Sequence, residues 1–375
     1  MNALPHRIRA RAAVLRQVGV PMAIEMVEVG PLRPGDVLVK VAAASLCHTD
    51  LEVIEGQLGL QLPAVLGHET AGHVAALGEG VTALAVGDPV VLSWNPHCGH
   101  CFQCSRGQPI LCEPFLAHGP TALHFDGAPR LACDDGSTLH QLMYLGGFAE
   151  YVVVPAQQAI RVPAAIPPDR ACLLGCAVMT GFGGATHIAR IEWGMTVMVI
   201  GTGAVGLAAV QGARLAGAGR IIAVDPNPAR RAMAERAGAA VLCDPTAEDP
   251  AALAKSLTAG RGADVVIEAA GAAAGFRTSV EAVRPGGQVV WLGKVGVQED
   301  VAFRWGALMQ EKRITRSSYG GARPAEDFPA MAQAWLDGRL DLDALITDRI
   351  SLDQINEGFA ALKRGEAIRS VVVFP

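Results

Sequence analysis

The chain has 375 residues, 51% of them hydrophobic and only 18% charged, against roughly 25% charged in an average globular protein; this excludes a disordered chain. Its 31 Lys+Arg and 36 Asp+Glu leave a net charge of −5, and no Lys/Arg block stands out, which argues against a nucleic-acid partner. Mean hydropathy is +0.30, but the longest uncharged run, residues 195–213, carries Gly201, Gly203, Gly206 and Gly212. It reads as a buried strand, a turn and a helix, so no membrane span is expected.

From about residue 13 to 160 the pattern is short β segments cut by Gly and Pro: 36–42, 72–77, 88–92 and 149–154. Helical periodicity is weak there, which predicts an irregular β-rich domain. After about residue 177, apolar strands at 196–201, 220–225, 240–243, 264–269 and 288–292 alternate with helices from about 205 and at 228–237, 250–259 and 275–283, with a last apolar stretch near 314–318. Six strands with interleaved helices predict an α/β fold with a doubly wound parallel sheet. The tail, 327–375, holds helices and a final strand at 370–374 and is expected to return to the first domain. The predicted division is 1–177 with 321–375, and 178–320. The basic N-terminus lacks an apolar core and does not read as a secretory signal.

Gly201-Thr-Gly-Ala-Val-Gly206 follows the strand TVMVI and opens an apolar helix, and Asp225 ends the next strand about 20 residues on. With strand, helix and acidic residue all in place, the pattern predicts a dinucleotide site. Gly201 makes the tight turn, Gly203 lets the backbone approach a pyrophosphate, and Gly206 lets helix and strand pack. The helix N-terminus offers free N–H groups to the phosphates. Asp225 suits the ribose hydroxyls and repels a 2′-phosphate, which favours NAD over NADP.

Four of the nine cysteines, Cys98, Cys101, Cys104 and Cys112, fall in one short loop. Four thiolates close a tetrahedral zinc site with a structural role; reduced free thiols are the alternative, and an iron–sulfur cluster would have no electron acceptor. An odd cysteine count argues against a disulfide framework and, with no signal sequence, predicts a cytoplasmic location. Two further cysteines and a histidine, Cys47, Cys176 and His68, are of the types that make a Cys2His set with an open fourth position, but nothing local unites them. The residues lie about 130 apart, and each alone also suits a buried thiol or an ordinary histidine.

Together CHTD at 47–50, GHETAGHV at 67–74, the four-cysteine loop, LLGC at 173–176, GTGAVG, IIAVDPNPARR and INEGFAALKRGEAIRSVVVF at 355–374 resemble the zinc-containing medium-chain alcohol dehydrogenases, over residues 13–374. The resemblance implies a GroES-like catalytic domain plus a nucleotide-binding (Rossmann) domain. It implies a catalytic zinc on Cys47, His68 and Cys176, with Glu69 able to ligate transiently, Asp50 orienting His68, and Thr49 bridging alcohol and ribose. It places Thr180 and Val205 behind the nicotinamide, Arg230 beside the adenosine ribose, and His48 and Arg369 at the pyrophosphate. The implied reaction is oxidation of a small-molecule alcohol to its aldehyde, or the reverse, with zinc acidifying the alcohol and hydride passing to NAD. The histidine that ends the proton relay in many relatives is absent; Leu51 and Glu52 stand there, and water with Glu52 assisting is expected to carry the proton.

By position Trp94, Leu116, Leu142, Met143, Phe148, Val295 and Tyr319 are expected to line the substrate pocket, which favours a primary alcohol with an aromatic or longer apolar group. The alternative is a thiol-adduct (mycothiol- or glutathione-type) formaldehyde dehydrogenase. Against the glutathione form, the residues after Cys112, EPFL, offer no arginine for the adduct's carboxylate. The long segment 113–146 and the strand 288–292, taken as a sheet edge, predict a homodimer.

Overall fold

Strand Asp36–Ser45, DVLVKVAAAS, is apolar on both faces, and only Lys40 along it is exposed. That pattern suits the centre of a sheet. Glu69–Leu77 pairs with it antiparallel on one side; on the other, Tyr151–Pro155 covers its first half and Ser370–Val373 its end. Pro89–Leu92, Ala159–Arg161 and Asp348–Ile350 complete a seven-stranded sheet. Five shorter strands, Ile8–Leu15, Ala23–Val29, Leu131–Cys133, Thr138–Gln141 and Ala64–Val65, close into a barrel. Both enclose one core that includes Val14, Leu38, Leu66, Phe148 and Val372.

The computed structural model describes residues 7–119 and 123–375. Residues 1–6 of the basic N-terminus and 120–122 of the long 113–146 segment lie outside the described residues. The chain forms two compact units. The first holds the described residues through Cys176 with Pro324–Gly338 and Ile346–Pro375; the second holds Ala177–Arg323 and Arg339–Leu345. Residues 339–345, expected with the first domain, belong to the second unit. Gln211 exchanges two bonds with the Asp341 backbone (2.9 and 2.7 Å), and Arg214 donates to the Arg339 carbonyl.

In the second unit six parallel strands lie in the order Val241–Cys243, Arg220–Val224, Thr196–Ile200, Ala263–Glu268, Val283–Trp291 and Arg313–Arg316. This is the doubly wound order, with the topological switch beside the first strand. The run 195–213 is the strand Thr196–Ile200, the glycine turn and the helix Ala204–Leu215. Among the described residues no single helix is long and apolar enough to cross a membrane.

Two expectations about the sheet edge are corrected. Residues 288–292 are internal, because Val283–Trp291 pairs with Ala263–Glu268 and also with Arg313–Arg316. The edge is Arg313–Arg316, a short, largely exposed strand with an arginine at each end, not the apolar stretch expected near 314–318. Short, charged edge strands resist indiscriminate pairing.

The 113–146 segment supplies the barrel strands Leu131–Cys133 and Thr138–Gln141 and a lobe around Cys112, Phe115 and Tyr144. Two devices hold it. Buried Arg130 donates through Nε to Asp36 Oδ2 (2.6 Å) and through Nη2 to Asp126 Oδ2 (2.9 Å), tying the segment to the central strand. Buried His124 stacks on Tyr144 at 5.3 Å, while Phe115 and Phe125 meet the same ring edge-on. Burial, with Arg130 adding to it, pushes the His124 pKa down to about 3. An unfolded histidine takes up a proton below about pH 6.5, whereas the folded ring does not until near pH 3. Stability present above pH 6.5 should therefore fall as pH drops through that window, by about 1.4 kcal/mol per unit from this group. Denaturant titrations from pH 7 to 4.5 are expected to show a shallower decline in His124→Phe than in wild type.

Candidate active site

Three strands bring the first unit's site together. Ser45 pairs with Glu69 on one side and with Val371 on the other. Cys47 lies two residues beyond Ser45, and Arg369 two residues before Val371. Their sequence separation of some 320 residues thus becomes a step across neighbouring strands.

Cys47 caps the helix His48–Ile54, and Asp50 completes a capping box with it. The Asp50 carboxylate is fully buried and accepts from three groups: Cys47 N (3.3 Å), Gly67 N (2.9 Å) and His68 Nδ1 (3.1 Å). This fixes the ring's position and leaves Nε2 facing inward, buried and without a hydrogen-bond partner among the described residues. Gly67 makes the turn at φ +94°, and a Cβ there would come within 2.7 Å of Phe148 N. Cys176 follows the turn Cys172–Gly175, where Gly175 passes beneath the Leu92 carbonyl.

Ligand atoms of Cys47, His68, Glu69 and Cys176 all lie within 4.8 Å of one another. Two sulfurs, an orphaned imidazole nitrogen and a carboxylate oxygen suit one zinc ion. The sulfurs share charge: the Cys176 hydrogen bond lowers the Cys47 pKa far below its usual value, helped by His68 and Arg369, and correspondingly raises that of Cys176. Burial pushes Glu69 up to about 7 despite Arg369.

Arg369, expected at a pyrophosphate, is buried in this structure and bonded to Glu69. Nη2 meets Oε1 at 3.2 Å, Nε meets Oε2 at 3.3 Å, and Nη2 also approaches Cys47 Sγ at 3.8 Å. The 300-residue separation hid this pair from sequence reasoning. His48 is exposed at the helix start, and Thr49 and Glu52 are half-buried on the same helix.

The sulfurs of Cys98, Cys101, Cys104 and Cys112 also lie within 4.8 Å of one another. Backbone amides support them: Cys98 N donates to Cys112 Sγ and Cys101 N to Cys98 Sγ, each at 3.3 Å. The Cys104 amide helps hold Cys101 down to about 6, while burial pushes Cys104 up to about 12. Phe102 N donates to Glu113 across the loop.

In the second unit Gly201 has φ +83° and packs against Ala270, and a Cβ on Gly206 would lie 1.8 Å from the Gly201 carbonyl. Gly203 caps the helix with open space at its Cα, so its amide end is accessible to a phosphate. Asp225 accepts from Thr202 N (2.8 Å) and Asn227 N (2.9 Å), one bond per oxygen. Arg230 lies in the first turn of the helix Pro228–Ala237. Gly181 brings Thr180 and Val205 together, since a Cβ there would lie 2.0 Å from Val205 O.

The expected substrate-pocket residues are divided between the two units and differ in burial. Phe148 is a core residue: it is fully buried, its ring meets Phe359 at 5.8 Å, and it covers the Gly67 turn. Leu142 is also buried in that core. Trp94 and Met143 pack at its margin, and Leu116 is 56% exposed on Glu113–His118. In the other unit Tyr319 is buried at φ +62°, and Val295 lines a cavity of about 240 Å³ with Trp291 and Phe303.

A family model for the alcohol dehydrogenase GroES-like domain matches residues 33–164, and one for zinc-binding dehydrogenases matches residues 204–337. The S-(hydroxymethyl)glutathione dehydrogenase of Synechocystis sp. is 35% identical over 97% of this chain and 100% of its own length. Benzyl alcohol dehydrogenase from Acinetobacter calcoaceticus superposes with a TM-score of 0.93 at 28% identity, covering 98% of this chain and all of that one. A zinc-binding dehydrogenase from Sinorhizobium meliloti bound to NADP has a TM-score of 0.82 at 31% identity, covering 98% and 100%. The chain belongs to the zinc-containing medium-chain alcohol dehydrogenase family and is an oxidoreductase. Its two domains are the GroES-like domain and the Rossmann-like parallel sheet of that family.

Gly67→Ala should push His68 off Asp50, because both the left-handed φ and the contact with Phe148 N forbid a side chain. Metal affinity at this centre is expected to fall about 10–100-fold with the four-cysteine loop unaffected, as followed by cobalt titration.

Proposed function

We propose that this enzyme oxidises a primary alcohol with an aromatic or longer apolar group to its aldehyde, or runs the reverse, using NAD and two zinc ions per chain. One observation carries the reading: Cys47, His68 and Cys176 converge with an orphaned His68 Nε2 at their centre. They would hold the catalytic zinc, and Cys98, Cys101, Cys104 and Cys112 the structural one. When bound, the metal supplies a Lewis acid for the alcohol or carbonyl oxygen, and the nicotinamide supplies the hydride acceptor.

The chain's own residues do the rest. Asp50 fixes His68; Thr49 takes the alcohol proton first, which leaves by water with Glu52 assisting. His48 engages the cofactor phosphates. Gly201, Gly203 and Gly206 admit the pyrophosphate, Asp225 takes the ribose hydroxyls with Arg230 beside it, and Thr180 and Val205 back the nicotinamide. The protein is proposed to act in the cytoplasm.

Likeness to benzyl alcohol dehydrogenase supports an aromatic substrate. The second reading, a thiol-adduct formaldehyde dehydrogenase, is favoured by the likeness to S-(hydroxymethyl)glutathione dehydrogenase, but the residues after Cys112 offer no arginine for that adduct.

Purified enzyme is expected to carry two zinc ions by elemental analysis and to turn over benzyl alcohol with NAD more efficiently than glutathione- or mycothiol–formaldehyde adducts. NAD should be favoured over NADP by about 2–3 kcal/mol, and Asp225→Gly should narrow that gap. Equal efficiency with both cofactors, or turnover of the thiol adduct alone, would overturn the assignment.

We also propose a homodimer. Val297, Trp305 and Met309 are 84%, 78% and 56% exposed on the stretch leading to the edge strand Arg313–Arg316, and large apolar side chains left open there suit a subunit interface. Light scattering is expected to give twice the 39.0 kDa chain mass, and Trp305→Glu to give one chain.

A further inference from the structure

The metal-ligating set in the first unit has four members, yet an alcohol needs a coordination position. A Glu69 oxygen lies within 4.8 Å of each of the other three ligand atoms, close enough to fill that position and convert an open site into a closed one. The same carboxylate is gripped by Arg369 through two separate nitrogens, one to each oxygen. A guanidinium matches a carboxylate in this two-pronged manner, and a lysine does not. The grip is fixed from behind as well: Arg369 Nη1 donates to the Ile368 carbonyl at 3.0 Å, and the next residue, Ser370, starts a strand locked to Asp36–Ser45. Glu69 itself begins the strand on the other side of Ser45. Neither partner has slack, and both are almost fully excluded from water.

Charge balance points the same way. Two thiolates neutralise a zinc dication, and Glu69 with Arg369 forms a second neutral pair beside it. Without the guanidinium, the buried carboxylate would have one remaining cation to turn to, the metal.

We infer that Arg369 is a positioning residue of the metal centre: its guanidinium holds both oxygens of Glu69 and so keeps that carboxylate from closing the fourth position beside Cys47, His68 and Cys176. The inference rests on the metal reading above and concerns how the site stays open, whichever alcohol it serves.

The test compares wild type, Arg369→Gln, Arg369→Lys, Glu69→Gln and the Arg369→Gln/Glu69→Gln double variant as full-length proteins. Zinc transfer to a colorimetric chelator is timed, and the visible spectrum of the cobalt-substituted protein is recorded with and without imidazole. Arg369→Gln is expected to release its catalytic metal at least about tenfold more slowly, the scale on which neighbouring partners tune metal affinity. Its cobalt spectrum should no longer respond to imidazole. Glu69→Gln alone, which leaves the buried Arg369 cation unpaired, should keep the imidazole response and release zinc no more slowly than wild type, and the double variant should regain both the wild-type release rate and the imidazole response, since the closing ligand is gone. Arg369→Lys, which keeps the charge but not the two-pronged grip, should fall between, and it serves if the glutamine variant does not fold. Wild-type release and an intact imidazole response in Arg369→Gln, or in Arg369→Lys if only that variant folds, would overturn the inference. So would a double variant that behaves like Arg369→Gln. A wild-type protein that binds no metal at Cys47, His68 and Cys176 would instead refute the reading on which it rests.

Discussion

The buried carboxylate of Asp50 is the interaction on which the first unit's site depends. It accepts from the Cys47 amide, the Gly67 amide and the His68 ring, so one anion sets the start of a helix, a left-handed turn and the direction of an imidazole. A buried carboxylate with no such donors would cost several kcal/mol. Here every donor belongs to a residue of the candidate metal-binding set or to one beside it. The cost of burying the charge is met by the groups that have to be positioned.

The second unit achieves its geometry by leaving side chains out. Gly201 and Gly206 approach so closely that a methyl group on Gly206 would overlap the Gly201 carbonyl. This draws the helix Ala204–Leu215 down onto the strand before it and exposes its amide end at Gly203. Asp225 uses one lone pair of each oxygen on the backbone amides of Thr202 and Asn227. Carboxylate oxygens have further lone pairs to offer a ribose, while the negative charge remains beside the place a 2′-phosphate would occupy. The same residue therefore shapes the turn and, in the function proposed above, would select NAD.

Paired charges recur wherever the first unit's chain returns from a distance. Arg130 joins residues near the lobe to Asp36, and Arg369 joins the C-terminal strand to Glu69. Both pairs are buried, so removing one partner is more damaging than the pair is stabilising. They work as registration devices that tolerate no sliding of the segment they anchor. Around the four-cysteine loop, where little apolar core exists, backbone amides aimed at the sulfurs and the aromatic cage on Tyr144 play that part.

Local chemistry was legible in the sequence. Strands of β-branched residues alternating with helical stretches, the glycine turn with an acidic residue about 20 positions on, and four cysteines in one loop each need only neighbours along the chain to be understood. The Cys47, His68 and Cys176 set was visible only through resemblance, because nothing local unites residues about 130 apart. Tertiary structure decided the rest. Strand pairing at Ser45 put Glu69 and Arg369 side by side; pairing of the sixth strand beside Val283–Trp291 moved the sheet edge from 288–292 to Arg313–Arg316; and packing on Phe359 made Phe148 a core residue. These outcomes depend on which segments become neighbours in space. Hydrophobic period and turn chemistry specify an element and its faces, but register and burial are settled only when the elements compete for the same core.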